Sequence, residues 1–288
     1  MGLSLVKTMP FRRTAAVVLS VAELVLLQLR GEEKVLRELH LDRLNSLTKY
    51  PSIPTYHALG DRGALLEQNI DFSGEPLLFT EKVDGTNSRV IVLPGGEYVI
   101  GSREQLLHAG GDVIFNPAQG IVEVLRETSR LIADGIAVPE GTAIVYYFET
   151  FGGKITAASK QYTGTREVSY RLFDIATVPL SRLADDIDRI AAWRDEDGQQ
   201  FFSEGELLIA AADHGLSVTP RIMPAGPLPE GIDETREWLE VTVPKTLVPL
   251  DVQAGGKAEG LVVRTEDRSR IAKIRFEDYR RHFKRNKR

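Results

Sequence analysis

The sequence predicts an α+β fold of largely antiparallel sheets with flanking helices. Strand-like segments follow one another across short turns, whereas helix-like segments come in separate runs. The two kinds do not alternate regularly, as they would around a parallel sheet. The 288 residues, 27% of them charged, are ordinary for a globular chain of one large or two modest domains.

The first 48 residues are predicted to form a helical extension. Apolar residues recur at helical spacing in residues 17–25 and again, between charges, in residues 36–47. A signal peptide is the alternative, because two arginines precede a short apolar run, but Glu23 soon interrupts that run. No apolar run approaches the roughly 20 residues of a membrane span, so we expect no membrane association.

Residues 49–288 are predicted to form the main domain, ending in a basic tail. Two prolines in residues 49–60 mark a linker or an irregular arm lying on this domain. The predicted strands are 77–83, 88–93, 98–102, 143–148, 170–175, 260–264 and 271–276. The predicted helices are 119–132, 183–193, 204–212 and 233–239. Residues 179–250 are expected to be a mostly helical insertion, to which the sequence assigns no chemistry.

Charge is distributed unevenly along the chain. Residues 268–288 carry ten Lys or Arg and two Asp or Glu, whereas the rest carries 26 basic and 39 acidic residues. An acidic body with a basic tail suits a protein that offers phosphates one particular surface. The alternative is a solvated, frayed terminus.

A lone lysine at a strand end is the first candidate for chemistry. In FTEKVDGTNS, Lys82 follows strand-forming residues and precedes Asp84, Gly85 and Asn87. A lysine amine attacks phosphorus only in its neutral form, which burial and neighbouring cations favour. Gly85 would let the backbone approach a ligand, and Asp84 and Asn87 would offer polar groups to a sugar or a hydrated metal. Asp-Gly is also a common hairpin dipeptide, so this motif alone is only suggestive.

Four further charged residues border apolar strand segments. They are Arg103 in GSREQL, Glu149 in YFETFG, Glu259 in KAEGLVVR and Lys273 in IAKIRF. One such residue usually lies on a solvated strand face, but five near strand ends indicate a shared cleft. Its carboxylates would suit hydrated Mg²⁺, and its cations would suit phosphates.

The ordered pieces KVDGTN, GSR, FETFG, YRLFDI, AEGLVVR and AKIR resemble the covalent nucleotidyltransferases. These comprise ATP-dependent RNA and DNA ligases and GTP-dependent RNA capping enzymes. The resemblance spans residues 81–275. Among these enzymes, the chain is most similar to RNA ligases, especially the phage type that seals nicks in double-stranded RNA. It implies a nucleotidyltransferase (ATP-grasp-like) fold, ATP as substrate, Mg²⁺ as cofactor and RNA ends as partners.

The resemblance also implies a role for each matching residue. Lys82 would form a lysyl-AMP phosphoramidate, and Glu259 would be associated with the metal. The implied nucleotide contacts are Glu81 at the adenine amine, Asp84 and Asn87 around the ribose and metal hydration shell, Arg103 on the nucleotide, Glu149 on the ribose or a metal-bound water, Phe173 stacked on the adenine, Lys273 on the AMP phosphate, and Arg275 beside it.

Two departures from the family pattern leave alternatives open. Arg275 stands where the family usually has the second lysine of Lys-x-Lys, and arginine does not replace a point charge freely. After Arg275 only 13 residues follow, so no C-terminal OB-fold is expected. The preferred hypothesis is an ATP-dependent RNA ligase. The alternatives are a DNA ligase-like or GTP-using enzyme, and a non-sealing module that binds nucleotide or RNA ends.

Partners and location follow from the same hypothesis. No obligate protein partner is evident, and the absence of cysteine gives no reason to expect an oxidising compartment, so a cytoplasmic location is expected. In the basic tail, Tyr279 and Phe283 could instead anchor a final helix packed on the sheet. The tail residues expected to hold RNA ends, without building the ATP pocket, are Arg280, Arg281, Lys284 and Arg285.

Overall fold

The computed structural model describes residues 39–110, 112–115 and 120–286, with side chains up to residue 284. Most of the predicted N-terminal extension, and with it the signal-peptide alternative, lies outside the described residues. Helix α1 (Leu41–Leu47) is the part that is described, and it buries Leu44 and Leu47. No helix among the described residues is long and apolar enough to cross a bilayer.

The described residues form twelve strands and six α-helices. The strands are β1 (His57–Leu59), β2 (Leu65–Asn69), β3 (Leu77–Lys82), β4 (Thr86–Val92), β5 (Tyr98–Ser102), β6 (Leu106–Ala109), β7 (Asp112–Val113), β8 (Thr142–Gly152), β9 (Val168–Pro179), β10 (Gln200–Phe201), β11 (Gly260–Thr265) and β12 (Ile271–Arg275). The remaining helices are α2 (Ile121–Gly135), α3 (Ile187–Asp195), α4 (Glu204–Asp213), α5 (Ile232–Thr242) and α6 (Phe276–Asn286).

Antiparallel pairing dominates the described sheets, as the sequence predicts. The larger sheet has seven strands in the order β10-β9-β8-β4-β5-β6-β7, and a second has three in the order β12-β11-β3. Strands β1 and β2 form a separate antiparallel pair. Every pairing between named strands is antiparallel, which confirms the α+β class.

Each large sheet has its own core. Helix α2 packs on the seven-stranded sheet through Ile121, Leu125 and Ile132, which recur at helical spacing and are fully buried. On the three-stranded sheet, Leu261 and Ile274 pack against residues of α5 and α6. Separate apolar clusters therefore pack against the two sheets. The polar residues at the strand ends do not belong to either cluster and are available to form a site.

Residues 49–56 form an arm lying on the domain and not a free linker. The Tyr56 backbone N–H donates to the Lys273 carbonyl at 3.0 Å, and the Lys273 N–H donates to the Pro54 carbonyl at 2.9 Å. Thr55 therefore bridges Lys273 in parallel, beside the last strand. The two prolines suit this position because each keeps the residue before it extended.

The basic tail forms helix α6, as the packed-helix alternative anticipated. Tyr279 is 2% exposed, and its hydroxyl lies 2.8 Å from Nδ1 of buried His57. Phe283 packs against the same apolar cluster. Arg280 and Lys284 lie on the exposed side of the helix. The side chain of Arg285 is outside the described residues.

Some boundaries differ from the sequence prediction for local reasons. Helix α3 begins at Ile187 and not at residue 183, because Asp186 caps it by accepting from the Arg189 N–H at 2.8 Å. The 3₁₀ turn Leu180–Ala184 occupies the preceding residues. Strands β8 and β9 are longer than predicted, because their pairing continues from Thr142 opposite Pro179 to Gly152 opposite Val168.

Candidate active site

Lys82 lies where three strand ends meet. It pairs with Gly260 of β11, and Gly260 in turn pairs with Arg275 of β12. Glu259 immediately precedes Gly260, and its Oε2 accepts a hydrogen bond from Lys82 Nζ at 2.6 Å. The two side chains are 23% and 15% exposed, so the ion pair faces a partly enclosed cleft. The register of three strands thus brings together residues that are far apart in the sequence.

Two glycines permit the close backbone approach on which this geometry depends. A Cβ on Gly85 would lie 2.2 Å from the Thr150 carbonyl oxygen, so only glycine lets the turn after Lys82 touch β8. A Cβ on Gly260 would lie 2.0 Å from the Ile274 carbonyl oxygen. Gly85 was predicted to let the backbone approach a ligand. In the structure it lets the backbone approach β8, a neighbouring strand of the protein itself.

The seven-stranded sheet supplies the second wall of the cleft. Asn87 of β4 is directly opposite Glu149 of β8. Oε1 of Glu149 accepts a hydrogen bond from the Gly85 N–H at 3.0 Å, which ties this wall to the turn after Lys82. Oδ1 of Asn87 is buried and has no hydrogen-bond partner among the described residues. Since Asn87 lines the cleft, a water or an ion bound there could satisfy this acceptor.

Two cations of β12 complete the cleft on the side of the three-stranded sheet. Burial lowers the pKa of the Lys273 ammonium, and the nearby charges of Arg275 and Lys82 lower it further. Arg275 donates two hydrogen bonds of 2.8 Å to the buried carboxylate of Asp278, and its Nη1 lies 3.9 Å from Glu259. A lysine could not form this two-pronged pair. The pairing with Asp278 is therefore a physical reason for arginine at position 275, where the family usually has the second lysine of Lys-x-Lys.

Three carboxylates of the cleft have pKa values above their usual range. Burial raises the pKa of Glu149 to about 7, and the neighbouring carboxylates of Glu259 and Asp84 add to the rise. Burial also raises the pKa of Glu259 and of Asp84. A bound cation would relieve this repulsion and lower all three pKa values.

The cleft fits a divalent cation without forming a complete cage for one. Among the described residues, no group of three or more His, Asp or Glu side chains is arranged as a ready-made metal site. Three crowded carboxylates and the unpartnered Oδ1 of Asn87 nevertheless offer the oxygen ligands that hard cations prefer. A Mg²⁺ ion usually keeps several waters and shares its ligands with substrate phosphates, so such an open donor set suits it.

Phe173 and Glu81, the residues expected to contact the adenine, both line the cleft. Phe173 packs edge-on against Tyr50, with ring centroids 4.9 Å apart, and both residues line the cleft. The carboxylate of Glu81 is held elsewhere, because it accepts from the hydroxyl of Thr246 and from the Leu247 N–H at 2.7 Å. The predicted contact of Glu81 with an adenine amine stays a prediction.

Arg103 lies at the rim of the cleft. Its side chain is 72% exposed and lies 3.4 Å from the carboxylate of Glu104. The residues to which the resemblance assigns nucleotide or metal contacts therefore lie in or around one cleft of about 230 Å³, although their individual roles stay predictions. Those lining it are Glu81, Lys82, Asn87, Arg103, Glu149, Phe173, Lys273 and Arg275.

Sequence reasoning missed several contributors to the site. Residues 50–53 of the arm line the cleft, as do Thr219 and Arg264. The hydroxyl of Tyr162, which is fully buried, accepts a hydrogen bond from the Asp84 N–H at 2.6 Å. The loop around Thr246, in the insertion to which the sequence assigns no chemistry, binds Glu81. The prolines of KYPSIP marked the arm in the sequence, but no local sequence pattern connected the arm or Tyr162 to Lys82.

Two facing sheets with a lysine at the meeting point of their strand ends match the arrangement implied for a nucleotidyltransferase. A model of the RNA ligase family matches residues 75–285, well over half of the chain. The chain therefore belongs to the RNA ligase family. No curated protein sequence matches it.

Solved structures similar to this chain include mutants of the Naegleria gruberi RNA ligase. One mutant with ATP and Mn has a TM-score of 0.48 and 16% identity, over 83% of this chain and 63% of that chain. An apo mutant has a TM-score of 0.48 and 16% identity, over 83% and 62%. Another mutant with ATP and Mn has a TM-score of 0.47 and 17% identity, over 81% and 61%. The chain thus spans less than two thirds of the length of these proteins.

Proposed function

We propose that this chain is an ATP-dependent RNA ligase that joins 5′-phosphate and 3′-hydroxyl RNA ends through a lysyl-AMP intermediate on Lys82. The observation that carries the proposal is the ion pair of Lys82 and Glu259, 2.6 Å long, beside Lys273 and Arg275 of the last strand. Membership of the RNA ligase family supports the RNA substrate. The absence of cysteine supports a cytoplasmic setting, where such sealing would repair broken RNA.

The first step transfers AMP to the protein. Neutral Lys82 Nζ attacks the α-phosphorus of ATP, so an N–P bond forms, the P–O bond to pyrophosphate breaks, and the released proton passes to solvent. Lys273 and Arg275 line the same cleft and would interact with the phosphates. Because Asp278 fixes the Arg275 guanidinium in advance, little reorganisation is needed during the reaction.

The second and third steps use the stored AMP to join RNA. A 5′-phosphate oxygen of the RNA attacks the phosphorus of lysyl-AMP, which breaks the N–P bond and frees Lys82. A 3′-hydroxyl then attacks the activated 5′-phosphate, and AMP leaves. Little of this requires a general base from the protein, so its main contribution is alignment and charge neutralisation.

We propose Mg²⁺ as the physiological cation of the cleft. Glu259, Glu149 and the free Oδ1 of Asn87 would hold it. When bound, such a cation neutralises charge on the phosphates of ATP. Glu149 meanwhile keeps the Gly85 N–H as a second partner, which fixes the direction of its carboxylate.

Labelling of the protein with radioactive ATP and Mg²⁺, followed by a denaturing gel, tests the proposal. Lys82→Ala should abolish the labelled band. Lys82→Arg should abolish it too, because an arginine side chain keeps its proton and cannot act as the nucleophile. The exposed Lys160→Ala is the matched control and should label normally. A normal band from either Lys82 variant would disprove the assignment of the nucleophile.

The same assay separates the alternatives. Labelling by GTP but not ATP would replace the proposed nucleotide. Transfer of AMP to 5′-phosphorylated RNA but not to DNA of the same sequence supports the RNA substrate, and the reverse would establish a DNA ligase-like enzyme. A chain that binds nucleotide without forming the labelled band would be the non-sealing module.

A further inference from the structure

A second groove adjoins the proposed active site. It has a volume of about 480 Å³ and runs between α5, α6 and the segment before β11. We call it the basic groove; its main lining residues are Arg236, Lys257, Phe276, Arg280, Phe283 and Lys284. The Phe276 N–H donates to the Glu259 carbonyl at 3.0 Å. The groove therefore begins one residue beyond Arg275 and one residue before Glu259, next to the strand ends that bear them.

The charge of the basic groove is almost entirely positive. Its lining contains four basic residues and one carboxylate, Glu240. Among the described residues, no carboxylate lies within ion-pair distance of the side chains of Lys257, Arg280 and Lys284, all of which are exposed. The acids of α6 are already occupied, because Glu277 pairs with Arg281 and Asp278 pairs with Arg275. Uncompensated cations that converge in a protein of net charge −5 favour a polyanionic ligand.

The groove is also partly pre-ordered. The Arg236 guanidinium lies over the ring of Phe283, 4.5 Å from its centroid, and its Nη2 is 3.9 Å from Glu237. Nε of Arg236 is buried and has no hydrogen-bond partner among the described residues. Stacking on the ring holds the guanidinium in place, so that a phosphate in the groove would meet an arginine that is already oriented.

We propose that the basic groove binds the sugar-phosphate backbone of the RNA substrate and leads one strand towards Lys82. This inference rests on the proposed function, because it takes RNA as the substrate. A strand fits better than a free nucleotide because Arg280 and Lys284 are one helical turn apart, with Lys257 contributed by a different segment, so the cations are spread along the groove. These cations would contact phosphates and not bases, and phosphate contacts make binding strongly dependent on salt.

The test measures the affinity of the full chain for a fluorescent, 5′-phosphorylated single-stranded RNA between 50 and 200 mM salt, by anisotropy. The double variant Arg280→Gln, Lys284→Gln should weaken binding at least about fivefold. The slope of log affinity against log salt should become shallower by about 1.4, because each lost phosphate contact to a single strand contributes about 0.7. Lys257→Gln, on another segment, should reduce the slope by about 0.7.

The matched control is Arg126→Gln, Arg130→Gln, which removes two charges at the same spacing from exposed positions of α2. It should leave affinity and slope unchanged, and all variants should form lysyl-AMP at the wild-type rate. Equal slopes in the groove variants and the wild type, equal losses in the control, or no RNA binding by the wild type would each overturn the proposal. Failure of lysyl-AMP formation in the wild-type chain would instead refute the proposed function, so the two failures are distinguishable.

Discussion

At the scale of single residues, the position of Glu259 is compatible with both roles proposed for it, pairing with Lys82 and binding a cation. It holds the Lys82 ammonium at 2.6 Å, and its carboxylate has a pKa raised by burial. In the proposed reaction, Lys82 Nζ would give up this partner, which would leave the carboxylate free for a cation. Pairing in the resting state keeps two half-buried charges from facing the cleft alone.

Glu259→Ala should reduce the rate of lysyl-AMP formation by about 100-fold or more, because it removes a charged group from the reacting centre. It should also raise the Mg²⁺ concentration needed for half-maximal labelling. The control is Glu140→Ala, which removes an exposed carboxylate that does not line the cleft. Identical rates and identical Mg²⁺ titrations for the two variants would contradict the role of Glu259 in binding the cation.

Glu149 should make the stability of the protein depend on pH. Its pKa in the folded chain is about 7, whereas an unfolded glutamate has a pKa near 4.3, so the folded state binds the proton more tightly. The free energy of unfolding should therefore fall as pH rises from about 4.5 to about 7 and level off above that, by at most about 4 kcal/mol. The physical cause is the burial of a carboxylate that becomes charged in this window.

Glu149→Gln tests this, because the amide oxygen can still accept the Gly85 N–H while the charge is gone. Denaturant unfolding without added metal should show the variant more stable than the wild type at pH 8 and similar to it at pH 5. A difference that does not change between the two pH values would show that Glu149 is not the titrating group. Added Mg²⁺ should diminish the difference at pH 8 by stabilising the wild-type carboxylate.

At the scale of elements, the sequence predicts what depends on local pattern. Strand β5 has the predicted bounds because Pro94 and two glycines end the preceding strand, and β11 is extended by a single residue. Strands β1, β2, β6, β7 and β10 were missed. They are two to five residues long and lack an alternating apolar face, so pairing with a neighbour creates them.

The same distinction applies to the site. Lys82, Glu149 and Glu259 were predicted because each lies in a motif whose neighbours define its strand end. Tyr162 was not, because its contact with Asp84 joins residues 78 positions apart and KQYTGT has no feature that distinguishes it. The engagement of Glu81 by residues 246 and 247 was hidden for the same reason, since a loop in an otherwise unassigned insertion supplies it.

At the scale of the whole molecule, α6 links three functions that the sequence treated separately. Its first turn contains Asp278, which fixes Arg275 in the cleft. Its buried side packs Tyr279 and Phe283 onto the core of the three-stranded sheet. Its exposed side contributes Arg280 and Lys284 to the basic groove. The tail is thus part of the fold as well as a charged surface.

Ending the chain after Asp278 should therefore destabilise the fold as well as weaken RNA binding. A tail that served only to bind RNA could be removed without loss of stability. The truncation removes Tyr279, which bonds His57, and the Phe283 ring under Arg236. Loss of one large buried aromatic typically costs about 3–5 kcal/mol, a large part of a domain's stability. We expect a markedly lower melting temperature and a parallel loss of lysyl-AMP formation and RNA adenylylation. The double variant Arg280→Gln, Lys284→Gln, which keeps both aromatics, should melt like the wild type. A truncated chain that melts normally and forms lysyl-AMP at the full rate would show that the buried side of α6 is dispensable.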